Sequence, residues 1–147
     1  MRFKDEFNII KGEKVELKIL YRDEGDSEEI PYYYYGIFLE GIKKSIGKIS
    51  IRIGHNYHSY FNGNIGFEID EEYQGNHYAY EAAKLVIPVA KAHHMDYVII
   101  TCNKSNTASS KTIEKLGAKL IEEVDPPQDY LFYFEGIETH KIYRLDI

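Results

Sequence analysis

The chain has 147 residues, with 24 Asp plus Glu against 18 Lys plus Arg, a single Cys, no Trp and 14 Tyr. A chain of this length suits one domain and buries roughly two thirds of its unfolded surface, so a core is available without disulfide or metal staples; the lone Cys102 excludes a disulfide framework and leads us to expect a reducing, cytoplasmic setting. The net charge of −6 argues against generic nucleic-acid binding, no apolar run approaches the roughly 20 residues of a membrane span, and Met1 to Glu6 holds no apolar signal core.

In chain order, Val15, Leu17, Ile19 and Tyr21 alternate with Glu16, Lys18 and Leu20. Period two predicts a strand with one buried face. The charged run Arg22 to Glu29 reads as a solvated turn. Tyr32 to Leu39 reads as a second strand, and Ile49, Ile51 and Ile53, alternating with Ser50 and Arg52, as a third. Gly54 to Gly63 reads as a polar, aromatic loop and Asn64 to Ile69 as a fourth strand, which makes the first half a β-meander. The period then changes. From Asn76 to about Ala92 apolar residues recur at Tyr78, Ala82, Leu85, Val86, Val89 and Ala90, the spacing of a helix. Pro88 should kink it, because it lacks the N–H that would bond the carbonyl of Lys84. Tyr97 to Cys102 is a β-branched run of the kind found in a strand buried on both faces. Asn106 to Leu116 predicts a short helix stopped by Gly117. Leu120–Val124, Tyr130–Glu135 and Lys141–Ile147 read as three further strands. The order β-β-β-β-α-β-α-β-β-β indicates a single α+β (mixed α/β) domain over residues 1–147, with parallel pairing wherever a helix crosses over.

The chemistry is expected between Asn64 and Leu120. A strand ends near Asp70, the loop Glu71-Glu72-Tyr73-Gln74-Gly75-Asn76-His77 follows, and a helix begins. Such a junction presents free backbone N–H groups to an anion, and the helix N-terminus adds about half a positive charge. Gly75 lets the chain turn and lets a phosphate approach. Weaker signals are His55 with His58 and the pair His93-His94. A metal site needs three or four converging ligands, so no metal is expected, and a helix C-terminus accounts for the second pair.

The run Gly66 to Ala82 resembles motif A of the GNAT acetyltransferase superfamily, and Asn103 to Ala118 resembles its motif B. Both are most similar to the Rim-type branch, the ribosomal-protein N-terminal acetyltransferases and their relatives. The resemblance covers residues 64–124 well and the rest by strand order. It implies a twisted mixed sheet of about seven strands with one splayed pair, flanked by helices, and acetyl-CoA as cosubstrate. The phosphate loop would lie on Gln74, Gly75, Asn76, His77, Tyr78 and Ala79, whose N–H groups would cradle the pyrophosphate. Backbone groups of Phe67 and Ile69 would bond the pantetheine arm between the splayed strands, with Asn106 and Ser109 on its far side.

Three departures stand out. The family's central loop glycine is His77, and the Tyr that often serves as general acid, seven residues after the motif B Asn, is Ile113. Ser109, Ser110, Tyr130, Tyr133 and Tyr143 are substitutes to consider. The two helices that usually build the acceptor site have only Arg22 to Pro31 in which to fit, so Tyr32–Tyr35 and the loop His55–Phe61 are candidate pocket walls. The implied reaction is attack of a primary amine on the thioester of acetyl-CoA, with Glu68 as base or base through water. The acceptor would be a small-molecule amine or a protein N-terminus, and the acidic chain weakly favours a cationic one by steering. A homodimer is among the assemblies the sequence allows. The rival reading is a non-catalytic CoA-binding sensor or scaffold. A nucleotide-phosphate loop of the Walker kind lacks its Lys at Asn76-His77.

Overall fold

The computed structural model describes residues 1–147 as eight strands and three helices. The strands are β1 (Ile9–Lys11), β2 (Glu16–Asp23), β3 (Tyr32–Phe38), β4 (Gly47–Arg52), β5 (Ile65–Ile69), β6 (Tyr97–Asn103), β7 (Lys119–Val124) and β8 (His140–Asp146). The helices are α1 (Tyr57–Asn62), α2 (Tyr78–Ala92) and α3 (Thr107–Lys115). One sheet runs in the order β1-β2-β3-β4-β5-β6-β8-β7. Its pairs are antiparallel except β5 with β6, which are parallel and joined by the α2 crossover. The mixed sheet, the meander and the parallel crossover are as the sequence implies.

Several local expectations fail. Residues 54–63 are not a plain loop. Asn56 accepts from the Ser59 N–H at 2.7 Å, while Ser59 Oγ accepts from the Asn56 N–H at 2.9 Å. That capping box starts α1, and the pattern Asn-x-x-Ser carries the signal. Residues 130–135 form turns, not a strand, with Tyr133 N–H donating to Tyr130 O. The strand missing there is replaced at the opposite edge by β1, too short to show alternation. Pro88 does lie inside α2, as read from the sequence, on an exposed side of the helix. His93, expected to serve the helix dipole, caps α2 with its Nε2 2.8 Å from the Tyr33 hydroxyl; burial, then Lys4, pushes its pKa down.

The core occupies one face of the sheet. Ala82, Ala83, Val86, Val89 and Ala90 form the buried stripe of α2. They meet Ile49, Ile51 and Ile65 below and Ile113 of α3 beside them in one cluster. Each fully buried aliphatic side chain in such a cluster contributes roughly 1.5–3 kcal/mol. The opposite face is covered only in part, by α1 with Phe61 and Tyr130, whose rings lie 5.5 Å apart. Between β2 and β3 the chain passes through residues 24–31 without a helix, so the rest of that face is open.

The closed end of the parallel pair is made by Asn64, which is fully buried. Its Nδ2 donates to the carbonyls of Arg52 (3.0 Å) and Gly54 (2.8 Å), and its Oδ1 accepts from the Ile99 N–H (2.8 Å). Its own N–H donates to Ile99 O and its carbonyl accepts from the Arg52 N–H. Gly63, at φ 83°, precedes it, and a Cβ there would lie 3.1 Å from the Thr101 N and 3.3 Å from Ile99 O. Beyond Ile65↔Ile100 no further β5–β6 pair forms.

Replacing Asn64 with Ala leaves several buried polar groups unsatisfied, at about 1–3 kcal/mol each. We expect N64A to lower the unfolding free energy by about 2–4 kcal/mol in denaturant titration. Because the folded pKa of His93 is depressed, the unfolded chain binds the proton more readily. The stability from neutral His93 is fully present above the ordinary His value near 6.5 and is lost as pH falls from there through its lower folded value. The denaturant midpoint should fall between about pH 7.5 and 5.5, and His93→Gln should reduce that slope without abolishing it, since burial lowers His55 as well.

Candidate active site

The Ile46–Asp70 and Arg52–Asn64 backbone bonds fix the parity of β5. Gly66 and Glu68 turn their backbone groups to β4, while Ile65, Phe67 and Ile69 turn theirs toward β6. Ile65 has its partner strand. Past it β6 diverges, and the backbone of Phe67 faces a gap. The Ile69 carbonyl accepts from Gln74 Nε2 at 2.9 Å, so the Gln74 side chain covers one edge group while its N–H donates to Glu71 O.

The junction into α2 leaves a run of donors free. The Gln74 N–H is bonded, and the next backbone donor with an acceptor is Glu81, to His77 O at 3.0 Å. The N–H groups of Gly75, Asn76, His77, Tyr78, Ala79 and Tyr80 have no acceptor in the protein, and no side chain caps the helix. Gly75 and His77 both have positive φ, 86° and 63°. His77 therefore takes the left-handed conformation natural to glycine, with an exposed side chain. Asn76 Nδ2 donates to Tyr73 O at 3.1 Å and braces the loop.

Across the gap, α3 begins at Asn106, whose Oδ1 accepts from the Ser109 N–H at 3.1 Å. Ser109 is half-buried. Asn106 and Ser109 thus share one helix start, while Glu68 lies on the outer face of β5, exposed, two strand positions from Gly66. On the face opposite α2, Tyr34, Lys48, Ser50, Gly66, Phe67 and Glu68 line a groove of about 210 Å³.

A family model described as "Acetyltransferase (GNAT) domain" matches residues 11–119. The chain belongs to the GNAT acetyltransferase family. Solved structures share its fold. A candidate ribosomal-protein-serine acetyltransferase from Vibrio cholerae is 17% identical, with a TM-score of 0.68 over 95% of this chain and 97% of that one. The ribosomal-protein-S5-alanine acetyltransferase from Vibrio fischeri is 23% identical, with a TM-score of 0.62 over 78% of this chain and 61% of that one. The Microcin C7 self-immunity acetyltransferase MccE, in complex with acetyl-CoA and AMP, is 20% identical, with a TM-score of 0.59 over 79% and 61%. The chain thus spans nearly all of the first and about three fifths of the other two. A search of curated protein sequences finds no match. Residues 11–119 are thus an N-acetyltransferase domain of the GNAT kind.

As a GNAT domain it has unusual parts. Ile113 is fully buried in the core, so no acid side chain stands at that point of α3. Tyr143 is 2% exposed, and its hydroxyl lies 2.6 Å from Ser110 Oγ, which also donates to Glu114. Tyr130 is buried beneath α1, and burial pushes its pKa up to about 12. Ser110, Tyr130 and Tyr143 are therefore engaged in packing. Of the four consecutive tyrosines, Tyr33 and Tyr35 are fully buried in the α2-side core; Tyr32 and Tyr34 are on the open face. His55 stacks on Tyr97, and His58 accepts from the Leu131 N–H, so each has a structural partner. The groove residues Lys48 and Ser50, and Arg52 of the adjoining hollow, were not singled out as site residues from the sequence. Their signal was the polar half of the β4 alternation, opposite Ile49, Ile51 and Ile53.

A non-glycine residue in the left-handed region costs about 1–2 kcal/mol. His77→Gly relieves that cost but adds chain entropy to the unfolded state, so we expect stability within about 1 kcal/mol of the native protein. His77→Val should fall about 1–2 kcal/mol below His77→Gly in the same denaturant titration, because a β-branched residue tolerates this conformation poorly.

Proposed function

We propose that the chain transfers the acetyl group of acetyl-CoA to a primary amine, of a small molecule or a protein N-terminus, by direct attack on the thioester. The observation that carries this reading is the run of unpaired N–H groups from Gly75 to Tyr80, set where β5 and β6 part. The diphosphate would sit on those donors, assisted by the helix dipole, with Gln74, Gly75, Asn76, His77, Tyr78 and Ala79 forming the cradle. The pantetheine arm would run along Phe67 and Ile69 as a β-neighbour does. Asn106 and Ser109 would flank it from α3. The lone, buried Cys102 suits a reducing compartment such as the cytoplasm.

The acceptor would lie in the groove on the open face. An ammonium has no lone pair, so its proton must leave before attack, and Glu68 on the groove wall would take it directly or through water. The amine nitrogen bonds the carbonyl carbon, and the Phe67 N–H would bond the resulting oxyanion. The C–S bond then breaks, and the thiolate of CoA departs. A thiol with a reference pKa near 8.5 leaves tolerably without an adjacent acid, which fits an aliphatic Ile113. Most of the acceleration would come from holding the two reactants together.

The test is calorimetric titration with acetyl-CoA, followed by thiol release with a panel of amines. We expect binding, and release above background for at least one amine. Glu68→Gln should lower kcat by about 10²–10⁴-fold with acetyl-CoA affinity unchanged. Unchanged turnover would remove Glu68 from the mechanism. Affinity without any release would favour the CoA-binding sensor or scaffold.

A further inference from the structure

The groove does not share the charge of the chain. The whole protein is at −6, yet β4 puts Lys48 and Arg52 on the open face, either side of Ser50. Neither cation has a carboxylate within ion-pair distance, whereas Arg22, Lys44, Lys84, Lys104 and Arg144 each have one. Lys48 is exposed and stands opposite Glu68 in the register without pairing to it.

Arg52 is held in place by groups that do not neutralise it. Its guanidinium lies 5.4 Å from the centre of the Tyr32 ring. Its one hydrogen bond is long, from Nη1 to Ser50 Oγ at 3.4 Å. Glu28 and Glu29 border, with Arg52, a small hollow distinct from the groove, and Glu29 is the first of the groups that favour its charge, beyond direct pairing. Burial works against that charge. A guanidinium fixed over an aromatic ring, partly desolvated and short of acceptors, has most of its five N–H donors free for a planar anion.

Its position relative to the reaction matters most. Gly66 has no side chain, and a Cβ there would stand 3.8 Å from Arg52 Nη1 and 3.3 Å from Ser50 Oγ. The guanidinium thus stands beside Gly66, which lines the groove together with Glu68, while Arg52 itself borders the adjoining hollow. Two residues of β-strand span about 6–7 Å. We infer that the acceptor is an amine bearing a carboxylate some 6–7 Å from its nitrogen, the amine lying by Glu68 and the carboxylate on Arg52. That separation suits a peptide N-terminus followed by an acidic residue, or an ω-amino acid. It is too long for the amine and carboxylate of one α-amino acid. It also reverses the expectation, from bulk charge, of a cationic acceptor. The inference rests on the acceptor occupying the groove as proposed above.

The test is equilibrium binding to the CoA-loaded protein, alongside the thiol-release assay. The probes are the peptide Ala-Glu-Ala amide against Ala-Gln-Ala amide, γ-aminobutyrate against its amide, and spermidine. We expect each acid to bind at least tenfold more tightly than its amide, and Arg52→Gln to remove that ratio while CoA affinity is unchanged. Arg52→Lys, which keeps the charge and controls for folding, should retain part of it. The two acid probes tell a peptide acceptor from a small one. Equal binding of acid and amide, a ratio unaltered by Arg52→Gln, no binding of either acid, or a preference for spermidine would overturn the inference. Acid-selective binding without thiol release would support the carboxylate site while defeating the transferase reading.

Discussion

One amide side chain sets the geometry on which the site depends. Asn64 is buried between the end of β4 and the start of β6 and satisfies backbone groups on both, from Arg52, Gly54 and Ile99. An asparagine can do this because it carries two donors and an acceptor on one planar group. A buried residue with fewer would leave strand ends without partners, at a cost the sheet could not offset locally. The clasp locks β5 to β6 at one point. From there the strands are free to part, since no second pair forms beyond Ile65↔Ile100. The gap is thus a consequence of tying the parallel pair at one end only.

From that gap follows a site made largely of backbone. The Phe67 edge faces the opening, and the turn through Gly75 and His77 delivers a run of free N–H groups beside it. Donors of this kind survive changes of side chain, which is how His77 can stand where the resemblance leads one to expect glycine. The residue need only accept a φ of 63°. The negative net charge of the chain is no obstacle, because the donors and the helix dipole act over the first turn alone.

The two faces of the sheet have separate duties. The face under α2 and α3 is closed by aliphatic side chains, and Ile113 and Tyr143 belong to that packing. The other face keeps only α1 and the turns after residue 125 as cover. Where the resemblance leads one to expect two helices, residues 24–31 make a short loop. The uncovered strands carry Tyr34, Lys48 and Glu68 toward solvent, with Ser50 buried at the floor of the groove. A short connection therefore leaves the groove face open without disturbing the β5–β6 gap, because the groove lies on a face of the sheet and the gap on the edge of β5.

Alternation along β2 to β5 and the 3.6-residue stripe of α2 were legible in the sequence, because burial on one face imposes a period that composition records. Motifs A and B were legible too, since a tight turn into one helix and a side-chain cap on the other restrict which residues can occupy them. The α1 cap, the turns at 130–135 and the edge strand β1 were not read, because short elements owe their form to neighbours distant in the chain. Tyr33 and Tyr35 could not be told from Tyr32 and Tyr34 until the sheet gained a covered and an uncovered side. The same holds for Arg52, which in sequence is one polar residue of an alternating strand. Only folding sets its guanidinium beside Gly66 and Tyr32 with no carboxylate in direct pairing, because strand register is decided by pairing across the sheet rather than by the residues next to it.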